Sequence, residues 1–266
     1  MTHIGIFDSG VGGLSVWREI ARLLPGHDTT YVADQVNIPY GSRPASEIRR
    51  LAHGIAGWLV ERGCDPVVVA CNTASAAALA SLRAEFPKIT FVGMEPAVKP
   101  AAATTRRRVV GVLATPATFQ GELFSKTVER FAANVHVVRQ ICPGLVERIE
   151  AGQLDGQATR SLLQSFLEPS LEAGADTIVL ACTHYPFVRH TIESLVGPEV
   201  AVIDPAPAVA RQVQRVIRAA DRDPAGEAVF FTTGDPVSFE RVATTLLERS
   251  VRAGRAVWDG NVLRVT

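Results

Sequence analysis

The chain carries 266 residues, 47% of them hydrophobic and 20% charged, with 27 basic against 27 acidic side chains, which excludes a disordered or collagen-like polymer. A formal net charge of zero and a pI near 7.0 lack the basic footprint of a dedicated nucleic-acid binder, so no nucleic-acid partner is expected. Four unevenly spaced cysteines are too few for a disulfide scaffold and read as reactive or buried thiols in a reducing compartment.

The N-terminal "MTHIGIFDSG" enters a strand-like run without a basic leader, and no apolar stretch approaches a membrane span, so a cytoplasmic protein with no membrane partner is expected. Short apolar, β-branched runs then alternate with helix-period segments, the pattern of parallel strands joined by crossover helices, so the fold class is α/β. Strands are expected at residues 4–7, 30–33, 67–70, 91–94, 109–113, 135–139, 177–181, 200–203 and 229–232. Helices fill most gaps. From Pro44 to Glu61, Ile48, Leu51, Ile55, Trp58 and Leu59 recur at helical spacing behind a first-turn proline, and Gly63 stops the run.

Three pairs of segments repeat in the same order. "IGIFDSG" from Ile4 resembles "VGVLATP" from Val110, about 106 positions on; "VVVACNT" from Val67 resembles "IVLACTH" from Ile178, about 111 on; "VGMEPA" from Val92 resembles "AVIDPA" from Ala201, about 109 on. Two α/β halves of like topology are therefore expected, related by a pseudo-twofold. The first comprises 1–97 plus 207–266, the second 98–206. The tail after Ala206 reads as helix, strand, helix and is expected to return to the first half.

In open α/β sheets ligands lie beyond the carboxyl ends of the strands, so polar residues directly after strands are the candidates. There are four such places: Asp8-Ser9-Gly10, Cys71-Asn72-Thr73, Thr115 to Thr118, and Cys182-Thr183-His184. A lone strand-end cysteine usually packs as a small core residue. Cys71 and Cys182, however, occupy equivalent positions in the two halves, an arrangement suited to two-base proton transfer across one ligand. An unperturbed thiol is only about 3% thiolate at pH 7, so each base needs help. A helix N-terminus after Cys71, His184 beside Cys182, and Asp8 as acceptor or orienter of the first thiol offer it.

The segments "GIFDSGVGGLSV", "IPYGSRP", "VVACNTASAAAL", "CPGLVERIEAG" and "LACTHYP" resemble, in that order, the glutamate racemases of the cofactor-independent aspartate/glutamate racemase superfamily. The resemblance spans Gly5 to Pro186. It implies an interdomain site in which Cys71 removes the α-proton of D-glutamate and Cys182 that of L-glutamate. Asp8, His184 and Glu150 would assist as acid/base groups. Substrate contacts would fall on Asp8, Ser9, Tyr40, Gly41, Asn72, Thr73, Thr115, Thr118, Thr183 and His184. It further implies no cofactor and no metal, a homodimer, and a supply of D-glutamate to peptidoglycan. The sequence departs from the pattern at Gln35, where threonine is common, at Gln120-Gly121-Glu122, and at Ala181 in place of a common glycine.

Proton abstraction beside a carboxylate normally uses pyridoxal phosphate as electron sink. Lys88, Lys99 and Lys126 are the only lysines and read as loop or helix-surface residues, so stabilisation falls to hydroxyls, amides and helix dipoles, with Ser9, Asn72, Thr73 and Thr183 as donors.

Other readings compete. Asp8 is in position to cap a helix starting near Gly12. Asp34, 24 residues after Gly10, stands where a dinucleotide fold places its ribose-binding acid, but Gly10, Gly12 and Gly13 do not make GxGxxG spacing. Cys71, Asp8, Cys182 and His184 are plausible zinc ligands without a zinc-binding spacing pattern. A cleft that only holds an amino acid has no need of two opposed thiols. A sister racemase acting on aspartate or a hydantoin, or a related decarboxylase, remains within the enzymatic class. Cys64 reads as core, Cys142 as packing near the site, and Arg106-Arg107-Arg108 as a solvated linker.

Overall fold

A computed structural model describes residues 2–217 and 226–265. Eleven strands are seen among the described residues: β1 His3–Asp8, β2 Asp28–Ala33, β3 Val67–Val69, β4 Phe91–Gly93, β5 Val109–Ala114, β6 His136–Ile141, β7 Thr177–Ala181, β8 Ala201–Ile203, β9 Ala228–Thr232, β10 Ala253–Asp259 and β11 Val262–Val265. They form a seven-stranded sheet, β11-β10-β9-β2-β1-β3-β4, and a four-stranded sheet, β6-β5-β7-β8. Every ladder is parallel except β10 with β11. Helices flank both sheets, as the near-continuous apolar strands require.

The order β2-β1-β3-β4 is repeated as β6-β5-β7-β8. The registers agree as well. Gly5 faces Thr30 and Val67 on its two neighbours, and Gly111, 106 positions later, faces Val138 and Ile178. At the fourth strand the rungs differ from the sequence match: Val67 faces Phe91 and Ile178 faces Val202, an offset of 111 rather than about 109. A slip of two residues keeps every side chain on its own face, which is why the apolar pattern did not reveal it.

All nine expected strands are present within a residue or two. The helix placed at 44–61 runs Ala45–Glu61, with Pro44 as its N-cap rather than inside the first turn, and Gly63 beyond it sits at φ +77°. Its apolar stripe packs with the helix Asn72–Glu85 against one face of the larger sheet. The helix Leu14–Leu23 packs with Ala206–Val216 on the other face. The expected helix at 206–220 is seen over Ala206–Val216, and positions 218–220 lie outside the described residues.

The tail does return to the larger sheet, through β9 against β2. Its description as helix, strand, helix was incomplete. After the helix Pro236–Leu247, β10 and β11 form a hairpin across Gly260 and Asn261, a two-residue turn with Gly260 at φ +61°.

Candidate active site

The carboxyl ends of β1, β3, β5 and β7 deliver the four polar segments to one place. Asp8 is the last residue of β1, Cys71 caps the helix Asn72–Glu85 after β3, Thr115 caps the helix Pro116–Gln120 after β5, and Cys182 follows β7 directly. A cavity of about 20 Å³ lies between them, lined by both Cys71 and Cys182. Ser9, Tyr40, Gly41, Asn72 and Thr73 line it from one side; Thr115, Thr183 and His184 line it from the other. Pro39 and Val146, which sequence reasoning did not single out, complete the wall. Asp8 and Glu150 stand behind the lining, and Thr118 bonds to it, its Oγ1 lying 3.0 Å from that of Thr115.

Behind Cys71, Ser9 Oγ lies 4.0 Å from the sulfur and 3.4 Å from Asp8 Oδ1. Asp8 is fully buried and accepts hydrogen bonds from Gly10 N at 2.8 Å and from Thr183 Oγ1 at 3.1 Å. It does not cap a helix: the helix Leu14–Leu23 has Gly13 at its N-cap and no side-chain cap. Burial pushes the Asp8 carboxyl up to about 6, against the opposing pull of His184.

The expected activation of Cys71 by its helix is present but outweighed. Ala74 N donates to the sulfur at 3.4 Å, yet burial, and after it the Asp8 charge, hold the thiol well above the ordinary range. Cys71 therefore rests as a thiol and depends on a proton acceptor behind it.

Behind Cys182 the chain of contacts is different. His184 Nδ1 lies 3.8 Å from the Cys182 sulfur, and its Nε2 lies 2.7 Å from Glu150 Oε1. Burial alone favours the neutral ring, but the bonds to Cys182 and Glu150 overcome it and hold His184 well above the usual imidazole range. Glu150, last residue of the helix Leu145–Glu150, also accepts from Val11 N at 2.6 Å and from Gln35 Nε2 at 2.7 Å.

The glycines of "DSGVGG" explain how these groups come so close. A Cβ on Gly10 would overlap the Glu150 carboxylate, and one on Gly12 would overlap the His184 ring.

Both side-chain polar atoms of Asn72 are buried without a protein partner, leaving its amide to a ligand. Thr73 Oγ1 lies 2.9 Å from Thr115 Oγ1 across the cavity. Tyr40 contributes its ring but turns its hydroxyl away, donating to Asp34 Oδ2 at 2.6 Å. Asp34 is a structural anchor, not a nucleotide ligand: Asn37, Thr233 and Trp258 also donate to its carboxylate, at 3.0, 2.9 and 2.8 Å.

Cys64 packs in the core beneath Gly5, Cys142 is buried near the site, and burial pushes both thiols up to about 12. Arg106, Arg107 and Arg108 are exposed, as are Lys88, Lys99 and Lys126. Among the described residues no group of three or more His, Cys, Asp or Glu side chains is arranged to hold a metal ion. No helix among them is long and apolar enough to cross a membrane.

Two sheets of like strand order thus bring a pair of thiols to one cavity. The sequence profile described as Asp/Glu/Hydantoin racemase matches residues 4–213, and the chain belongs to that family. It is an amino-acid racemase, an isomerase of a cofactor-independent family. The chain is 53% identical over 241 residues to the glutamate racemase of Roseiflexus sp. (strain RS-1), with 89% of each chain covered. The structure matches a glutamate racemase isoform from Bacillus anthracis with a TM-score of 0.87 at 31% identity, covering 98% of both chains. It also matches Escherichia coli glutamate racemase in complex with L-glutamate and the activator UDP-MurNAc-Ala, with a TM-score of 0.85 at 30% identity over 100% of this chain and 99% of that one.

Proposed function

We propose that the protein interconverts L- and D-glutamate by proton transfer between two cysteines, Cys182 serving the L enantiomer and Cys71 the D enantiomer. The observation that carries this reading is the placement of both sulfurs on one cavity, at equivalent strand ends of two sheets of the same order. The names of the similar proteins, and the L-glutamate in one of those structures, support the choice of substrate.

For L-glutamate, the Cys182 thiolate takes the α-proton, the electron pair delocalises into the substrate carboxylate, and the Cys71 thiol returns a proton to the opposite face. The reverse reaction exchanges the roles. The developing dianion meets the free Asn72 amide, the Thr73 hydroxyl and the amino end of the helix Asn72–Glu85. Ser9 links Cys71 to Asp8, and His184 links Cys182 to Glu150, so each thiol has its own path for a proton or charge.

The same reading divides the chain into 1–97 plus 207–266 and 98–206, with the site between these units. It makes the protein a cytoplasmic homodimer that supplies D-glutamate for peptidoglycan. Light scattering at micromolar concentration tests the dimer.

The decisive experiment offers L-glutamate to metal-stripped protein in D2O without cofactor, following α-proton loss by NMR and the enantiomer ratio. Exchange with formation of D-glutamate is expected, with deuterium mainly in the product. Cys71→Ser and Cys182→Ser should each abolish racemisation in folded protein, and full activity in either would refute the two-base assignment.

A further inference from the structure

Gln35 departs from the pattern of the resembling sequences, and the structure gives it a specific place. Its side chain bridges the end of β9 and the carboxylate behind Cys182. Gln35 Nε2 lies 2.7 Å from Glu150 Oε2, and Gln35 Oε1 accepts from Thr232 Oγ1 at 2.8 Å. Thr232 is fully buried, and its oxygen accepts from Gly234 N at 3.0 Å. The Glu150 carboxylate only accepts, so the amide is oriented with its NH2 toward Glu150 and its Oε1 toward the Thr232 hydroxyl; the reverse orientation would set two oxygens against each other.

We infer that Gln35 is a positioning residue for the Cys182 half of the reaction: it holds Glu150 so that the carboxylate keeps its contact with His184, and His184 its contact with Cys182. The inference rests on the two-cysteine reading above. The chain of contacts runs from Gly234 through Thr232, Gln35, Glu150 and His184 to the sulfur. The two oxygens of Glu150 have separate duties. Oε1 serves Val11 N and His184, while Oε2 is held by Gln35. Removing the Gln35 donor leaves the carboxylate held through Oε1 alone, so its last torsion, broad in itself, is less restrained.

No corresponding contact runs from Gln35 to the Ser9 and Asp8 groups behind Cys71. The effect therefore falls mainly on the Cys182 side, and it is not a contact with substrate, because Gln35 does not line the cavity.

The test uses Gln35→Met, which keeps length and removes both hydrogen bonds, and Thr232→Val, which removes only the orienting hydroxyl. Because the two enantiomers are equal in free energy, kcat/KM must fall by the same factor in both directions, about tenfold for Gln35→Met and less for Thr232→Val. The distinguishing readout is the primary deuterium isotope effect. The α-deuteron of [2-2H]-L-glutamate goes to Cys182 and that of [2-2H]-D-glutamate to Cys71. A variant that weakens only the Cys182 step raises the isotope effect on L-glutamate and lowers it on D-glutamate.

Unchanged rates in Gln35→Met overturn the inference. So does a lower rate with both isotope effects unchanged, which is the signature of a contact that only holds the tail in place. If the wild-type protein folds yet leaves glutamate untouched, the parent reading has failed. Positioning is then read from the His184 Nε2–H resonance by 15N-edited NMR: a shift in Gln35→Met supports the inference, and an unmoved resonance overturns it.

Discussion

Thr183 donates its hydroxyl to Asp8, with Oγ1 and Oδ2 3.1 Å apart. The residue after one of the paired cysteines thus grips the carboxyl that stands behind the other. This bond joins the end of β7 to the end of β1, and Ser15 reinforces it by donating to the Thr183 carbonyl at 2.9 Å. The two halves of the site are thereby tied through polar groups that are themselves buried, where an unsatisfied partner is costly.

Asp8 should make the protein's stability depend on pH in a definite direction. Its carboxyl is raised by burial from 3.8 to about 6, so the folded state binds this proton more tightly than the unfolded chain. The stabilising contribution is complete below about pH 4 and is lost as the pH rises through 6. Asp8→Asn removes the dependence. Urea unfolding should find this variant gaining on the wild type by up to about 3 kcal/mol between pH 4 and pH 7.5. Racemisation should meanwhile fall, in the wild type as the pH drops through 6, and in Asp8→Asn at every pH. Parallel stability profiles for the two proteins would show that Asp8 carries no such linkage.

A methyl group at Gly12 should disable the Cys182 side without replacing any polar side chain of the site. The position has no positive φ, so alanine is compatible with the backbone, but its Cβ would overlap the His184 ring. His184 must then leave both Cys182 and Glu150. A displacement of about 1 Å is enough to lower kcat by roughly a hundredfold. Circular dichroism should stay native. The check is a double-mutant cycle: once His184 is alanine, adding Gly12→Ala should cost little more, whereas independent, additive losses would mean that Gly12 acts elsewhere.

The strands and the paired cysteines were legible because they rest on local signals: apolar runs for the first, a repeated strand-end position for the second. The repeat also shows where the halves diverged. At the Cys71–Cys182 offset of 111, Asn72 corresponds to Thr183 and Thr73 to His184, so two equivalent thiols stand beside different neighbours. The signal for the β10–β11 hairpin is the Gly260-Asn261 step between apolar runs. Gln35, Asp34 and Trp258 could not be joined from sequence: their contacts with the tail cross 197 to 224 positions and depend on its lying beside β2. A single carboxylate after a strand gives no indication of whether a ligand or the protein itself will satisfy it.

Asp34 is satisfied by the protein, and this sets the last prediction. Its carboxylate accepts only from donors: Asn37, Tyr40, Thr233 and the Trp258 indole. Tyr40 and Gly41 line the cavity, so the same carboxylate that fastens the tail also fixes one wall of it. Trp258→Phe deletes one donor from a well-supplied acceptor and should cost about 1 to 2 kcal/mol in urea unfolding. Asp34→Asn is worse than its small size suggests, because its NH2 group must face other donors and leave at least one buried group unpaired; about 3 kcal/mol is expected. Both should raise KM for glutamate more than they lower kcat, since the wall is loosened while the thiols keep their partners. If Asp34→Asn proves no less stable than Trp258→Phe, the carboxylate is not the centre on which these four donors converge.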